Sequence, residues 1–226
     1  MRVQSTSGIA ALAIVCALAL GIAQPASARV LRSAHRGAVS ADHVIAGSGA
    51  NGRGIHAGGT IGDGNGGLIH ASGGAYAGAK GTATRGSYTH LGADGSIAHQ
   101  GGHDVQGANG GYDTGHNSYT RNTDGSGSAS WQNNGKGANG SSIDSSGNYT
   151  RGTDGKWTGT SQTTASGAKG SYSGSTTDND GTGTHDSSYT NASGDTYTGQ
   201  TTWTKGQGYT HTGSCADAQG NPIACH

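Results

Sequence analysis

The chain has 226 residues, of which 46 are Gly, none is Phe and only 12% are charged. Leu, Ile and Val number 14 after residue 28. Burying one large apolar side chain yields about 1.5–3 kcal/mol, and ordering each backbone residue costs about 1–2 kcal/mol. A conventional two-layer core is therefore excluded, and with it the rigid interior that a catalytic site needs. The formal charge is +0 and every acidic residue is Asp. Neither charge-driven disorder nor the basic surplus of a nucleic-acid binder is present, apart from Arg29, Arg32 and Arg36.

Residues 1–28 read as a secretory signal peptide. Arg2 supplies positive charge, Gly8 to Ala23 is small and apolar, and Ala26-Ser27-Ala28 provides a cleavage site. The apolar run is shorter than the roughly 20 residues that span a bilayer, so no transmembrane segment is expected in the mature chain. Cys16 leaves with the signal. The expected location is secreted, periplasmic or cell-surface.

Residues 29–77 form a Gly-rich stretch expected to be flexible, and 29–75 is the least strand-like part of the chain. The segment Gly58–Gly67 (GGTIGDGNGG) resembles calcium-binding glycine-rich nonapeptides but lacks their tandem register. Residues 78–170 carry a repeat of about 30 residues made of 15-residue halves. Asp-Gly at 94, 124 and 154 alternates with Asn-Gly at 109 and 139, within an X-Gly series running from Asn51-Gly52 to Lys169-Gly170. Asn-Gly and Asp-Gly tolerate positive φ and are strong hairpin signals, and the flanking Thr, Tyr and Trp favour strands.

The expected fold is therefore all-β or largely disordered: a repetitive antiparallel hairpin meander. The alternative is a β-solenoid with 15 residues per coil, which needs an inward apolar residue in every coil that most of these coils lack. In the meander, Asp-Gly turns occupy one edge and Asn-Gly turns the other. A three-residue Thr-Asp-Gly loop places Arg151 opposite Trp157 and Asn117 opposite Trp131, so that Tyr149 and Tyr119 share a face with the Trp of their own hairpin. Residues 171–226 form a Thr/Tyr/Trp-rich β segment. There Tyr197, Trp203, Tyr209 and His211 alternate onto one face, and a disulfide between Cys215 and Cys225 closes the terminal loop through a Gly220-Asn221-Pro222 turn.

No catalytic constellation emerges. There is no Glu for a helical metal motif, no nucleophile elbow and no phosphate loop, and no cofactor is expected. The chain reads as a non-enzymatic, exported, low-complexity repeat protein of the cell envelope or surface. Its contacts are weak and multivalent, made through Tyr119, Trp131, Tyr149, Trp157, Tyr197, Trp203 and Tyr209. Glycan, matrix polymer or further copies of the chain are the expected partners. One alternative is metal binding by dispersed histidines, with His56, His70, His99 and His103 as candidates. Another is an ice-binding or polysaccharide-binding module. Thr-x-Thr pairs such as 158/160, 182/184, 202/204 and 210/212 resemble those of ice-binding proteins, but they do not recur at one place in the 15-residue unit.

Overall fold

A computed structural model describes residues 29–31 and 43–225. The signal-peptide reading of 1–28, with Cys16, and the basic residues Arg32 and Arg36 lie outside the described residues. Every regular element among the described residues is a strand. The chain divides into two compact units between Gly110 and Gly111.

The first unit holds β1 (Arg29–Leu31), β2 (His43–Gly49), β3 (Gly52–Gly62), β4 (Leu68–Gly78), β5 (Gly81–Leu91) and β6 (Ile97–Gly107). The second holds β7 (Tyr112–Arg121), β8 (Gly127–Lys136), β9 (Ser142–Arg151), β10 (Trp157–Gly167), β11 (Gly170–Asn179), β12 (Thr182–Asn191), β13 (Thr196–Thr204), β14 (Gly208–Ala216) and β15 (Pro222–Ile223). Within each unit, every strand pairs antiparallel with the next in sequence. The fold is the expected all-β meander, and the solenoid and largely disordered alternatives do not describe it.

One expectation is corrected. Residues 29–75, expected to be the least strand-like part of the chain, hold β1, β2, β3 and most of β4. Glycine-rich strands lack a side-chain signature, but their N–H and C=O groups pair across strands as those of any residue do.

Two loop types build the meander. At Asp94-Gly95, Asp124-Gly125, Asn139-Gly140 and Asp154-Gly155 the Gly has φ of 83–85° and its N–H bonds the carbonyl three residues back. Gly152 N–H also bonds Lys156 O at 2.9 Å, which closes Thr153-Asp154-Gly155 as a three-residue loop. Arg151 therefore faces Trp157 and Asn117 faces Trp131, as the sequence predicts. At Asn51, Lys80 and Lys169 the loop is instead the two residues before the Gly. Gly52, Gly81 and Gly170 open the next strand with φ of 131–139°. In the second unit the loops at Asp124-Gly125, Asp154-Gly155 and Asp180-Gly181 lie at one end of the strands, and Asn139-Gly140 lies at the other.

The turn carboxylates give the fold a pH signature. Hydrogen bonds from Ser96 to Asp94 and from Ser126 to Asp124 hold these carboxyls below the ordinary 3.8. Asp63 is lowered by His90 and then by the Asn65 and Gly67 amides, and Asp217 by Asn221. Lys156 is raised above 10.5 by its bond to Asp180 and by that carboxylate's charge. The lowered Asp groups contribute stability that is present above 3.8 and lost as pH falls through their folded values. Lys156 contributes below 10.5 and loses its contribution as pH rises through its folded value. A melting-temperature profile is therefore expected to decline at both extremes, with no slope from these five groups near neutrality. A profile that rises below pH 3.8 would contradict this.

The two faces of the second unit differ sharply. One row on the first face runs Ile143, Ala165, Tyr172, Tyr189, Tyr197, Cys215, Ile223, directly paired across seven strands. That face also carries Gly147, Gly159, Gly174, Gly183, Gly199 and Gly213. The second face is almost entirely Ser, Thr, Asn, Gln and Asp. No described hydrophobic side chain is fully buried. Apolar area is covered ring by ring: Trp131 lies over Gly147, Tyr149 over Gly159, and Trp203 over Gly183, where an added Cβ would strike each ring.

The C-terminal segment closes as expected, with Cys215 and Cys225 bridged at a Cα–Cα distance of 5.4 Å. Closing a loop of this length contributes about 2–3 kcal/mol in the chain-entropy picture. The turn itself is Ala218-Gln219-Gly220, with Gly220 N–H bonded to Asp217 O, and Pro222 opens β15. An edge strand tolerates proline because its outward N–H needs no partner.

Candidate functional site

The aromatic candidates converge. Tyr119 on β7, Trp131 on β8, Tyr149 on β9, Trp157 on β10, Tyr197 and Trp203 on β13 and Tyr209 on β14 all point to the same face of the second unit, as register and strand alternation require. Trp131 and Tyr149 stack at 5.7 Å between centroids with an interplanar angle of 7°. This stack links neighbouring hairpins across β8 and β9, in addition to the face sharing expected inside each hairpin. Trp203 sits directly opposite Tyr209, which is 79% exposed.

Two members were missed from sequence. Tyr172 and Tyr189 face each other on β11 and β12, and Tyr189 also faces Tyr197. The 15-residue rhythm ends at residue 170, so these two tyrosines fell outside the pattern. Their signal was simple alternation within Gly170–Asn179 and Thr182–Asn191. Tyr189 donates its hydroxyl hydrogen bond to Lys169 O at 2.9 Å.

Compared with protein-family models, curated proteins and solved structures, the chain matches none.

Histidines on this face are held by cross-strand neighbours. His185 Nδ1 lies 2.9 Å from Thr176 Oγ1 and its Nε2 3.5 Å from the Tyr172 hydroxyl. His211 repeats the arrangement with Thr201 at 2.8 Å and Tyr197 at 2.8 Å. Such Thr–His–Tyr clasps fix the imidazole plane and tie aromatic rings to the sheet. At the end of the face, Arg151 donates to Gly125 O at 2.6 Å and Gly155 O at 3.2 Å, joining two successive Asp-Gly loops.

The metal candidates fall on one face of the first unit but do not gather at a point. His70 Nδ1 lies 2.8 Å from Thr60 Oγ1, and His99 Nδ1 lies 2.8 Å from Thr89 Oγ1. His99 and His103 are four residues apart on β6, a span of about 13 Å at strand rise. His56 stacks on His43 with ring centroids at 5.2 Å and nitrogens at 3.2 Å. Among the described residues no three His, Cys or Asp side chains converge as a metal-binding group. A groove of about 540 Å³ is lined by Ile45, Tyr76, Ala83, Val105 and the flanking His56 and His103.

The opposite, polar face of the second unit brings together residues that sequence spacing left scattered. Thr160, Thr177, Thr184, Thr202 and Thr210 are direct cross-strand neighbours in one row from β10 to β14. In the adjoining row Thr150 faces Thr158, and Thr182 faces Thr204. The Thr-x-Thr pairs 158/160, 182/184 and 202/204 thus occupy equivalent places in the sheet, although they do not in the linear repeat.

Proposed function

We propose that this is an exported, non-enzymatic repeat protein of the cell envelope or surface that holds glycan through weak, multivalent aromatic contacts. The observation that carries the reading is the convergence of nine Tyr and Trp side chains, one or two from each of eight successive strands, on one face. The apolar C–H face of a sugar ring stacks on an aromatic ring, and Tyr and Trp supply large contact area at small entropic cost. Repetition along a polymer then raises weak single contacts to useful avidity. The chain's lack of net charge suits a neutral polysaccharide better than an anionic one.

The test uses Tyr189 and Tyr209, which are 40% and 79% exposed, so that their removal probes contact more than packing. Co-sedimentation of the full chain with insoluble neutral polysaccharides is expected to show binding. The double variant Tyr189→Ala/Tyr209→Ala should weaken it by roughly tenfold or more, in line with lost avidity. Equal sedimentation of the variant, or none by the unaltered chain, would refute the proposal.

A further inference from the structure

The aromatic reading leaves the opposite face of the second unit without a role, and that face has its own order. We infer that the threonine row of β10–β14, with the adjoining row in which Asn179 on β11 stands between the Thr150–Thr158 and Thr182–Thr204 pairs, forms a binding surface for crystalline ice. The face is separate from the aromatic one, so the inference stands or falls independently of glycan binding.

Three features carry it. The first is regularity. Neighbouring strands lie about 4.8 Å apart and alternate residues along a strand about 6.7 Å apart, so the rows present hydroxyls and methyls on a two-dimensional lattice. Those repeats are of the same order as the oxygen spacings of ice. The second is chemistry. Thr couples a hydroxyl, with one donor and two acceptor sites, to a methyl group that water must cage. An array of both holds first-layer water in place without charges that would scatter its orientation, and neither row contains an ionised side chain. The third is stiffness. A β-branched side chain has few χ1 choices, and Thr150–Thr158 at 3.0 Å and Thr202–Thr210 at 2.6 Å are already hydrogen-bonded across strands. Each bonded pair still keeps a donor and acceptors for water.

Thr158, Thr160, Thr177 and Thr182 are all exposed. The aromatic rings of β8–β14, which would favour a sugar polymer, lie on the other face, and Tyr112 on β7 is outside the two rows. The long amides and Asp186 lie in the next row, around a trough of about 510 Å³ lined mainly by Ser, Thr and Gln. Within the two rows the chemistry therefore favours ordered water over a polysaccharide.

The full chain with its disulfide is tested for thermal hysteresis and for inhibition of ice recrystallisation. Activity is expected from the unaltered chain. The pair Thr177→Tyr/Thr184→Tyr, which places two bulky rings at directly facing positions, should reduce it by roughly tenfold or more through lost lattice match. The control pair Ser173→Tyr/Ser188→Tyr, on the same face but outside the two rows, in a mixed row with Asp144, Thr164 and Thr198, should retain it. Unchanged circular dichroism in all variants separates loss of binding from loss of fold, and Thr177→Val/Thr184→Val provides a smaller perturbation if the tyrosines unfold the sheet. Inactivity of the unaltered chain would overturn the inference. Indifference of activity to both threonine pairs would do the same. So would threonine variants that lose binding to microcrystalline polysaccharide while ice activity is unaffected.

Discussion

Gly170→Ala is expected to destabilise the second unit by roughly 3–5 kcal/mol, combining a forbidden backbone with a steric clash. Gly170 has φ of 133°, a region that side chains with a Cβ scarcely enter, and the new methyl would press on the Thr190 carbonyl and the Asn191 Cα. Both are backbone atoms of the paired strand and cannot rotate aside. Gly140 provides the comparison. Its φ of 83° is the ordinary left-handed conformation, and nothing lies within 4 Å of an added Cβ. Gly140→Ala should therefore cost only about 1–2 kcal/mol. Urea denaturation of both variants measures the difference. Equal midpoints would mean that the two-residue loops are not the fixed points they are taken to be here. Since a domain's net stability is about 5–15 kcal/mol, the Gly170 variant is expected to populate unfolded chain detectably.

The second large effect concerns the rings that stand in for a core. Trp131→Ala should cost about 2–3 kcal/mol, less than loss of a fully buried Trp because one side of the ring faces solvent. The ring covers Gly147 and stacks on Tyr149, so its removal uncovers backbone and strips a neighbour of its partner. Gly147→Val should be comparably harmful in the unaltered chain, because the new side chain evicts the indole. In the Trp131→Ala background the sign is expected to reverse. With the ring gone, a β-branched residue at 147 gains strand propensity and restores apolar cover. A double-mutant cycle reads this as strong coupling between positions 131 and 147. Additive losses would show that the sheet is held by its backbone alone.

These two effects bear on the proposed functions. Among the described residues nothing forms a second layer on the sheet, so side chains on its own surface shield its hydrogen bonds. The aromatic face does this by laying rings on glycines, which explains why Gly and Tyr or Trp recur together on one side. The opposite face needs no such shielding, because Ser, Thr, Asn and Gln are satisfied by each other and by water. Each side is then regular for its own reason, and each regularity is available to a periodic partner.

The turns, the strand-rich class, the terminal disulfide and the facing of Arg151 with Trp157 follow from the amino-acid sequence alone. All of these are local: Asp-Gly and Asn-Gly set φ within a few residues, and a three-residue loop fixes the register of its own hairpin. Tertiary structure decided which residues line up across many strands. A three-residue loop keeps odd positions opposite odd positions, as in Arg151 with Trp157, whereas the two-residue loop at Ala168-Lys169 pairs Gly167 with Gly170 and so exchanges odd for even. Because side chains alternate with a period of two, each such exchange changes which residues share a face. The linear repeat therefore hid the threonine rows and the Tyr172–Tyr189–Tyr197 series, while the sum of loop lengths, expressed only in the folded sheet, brought them together.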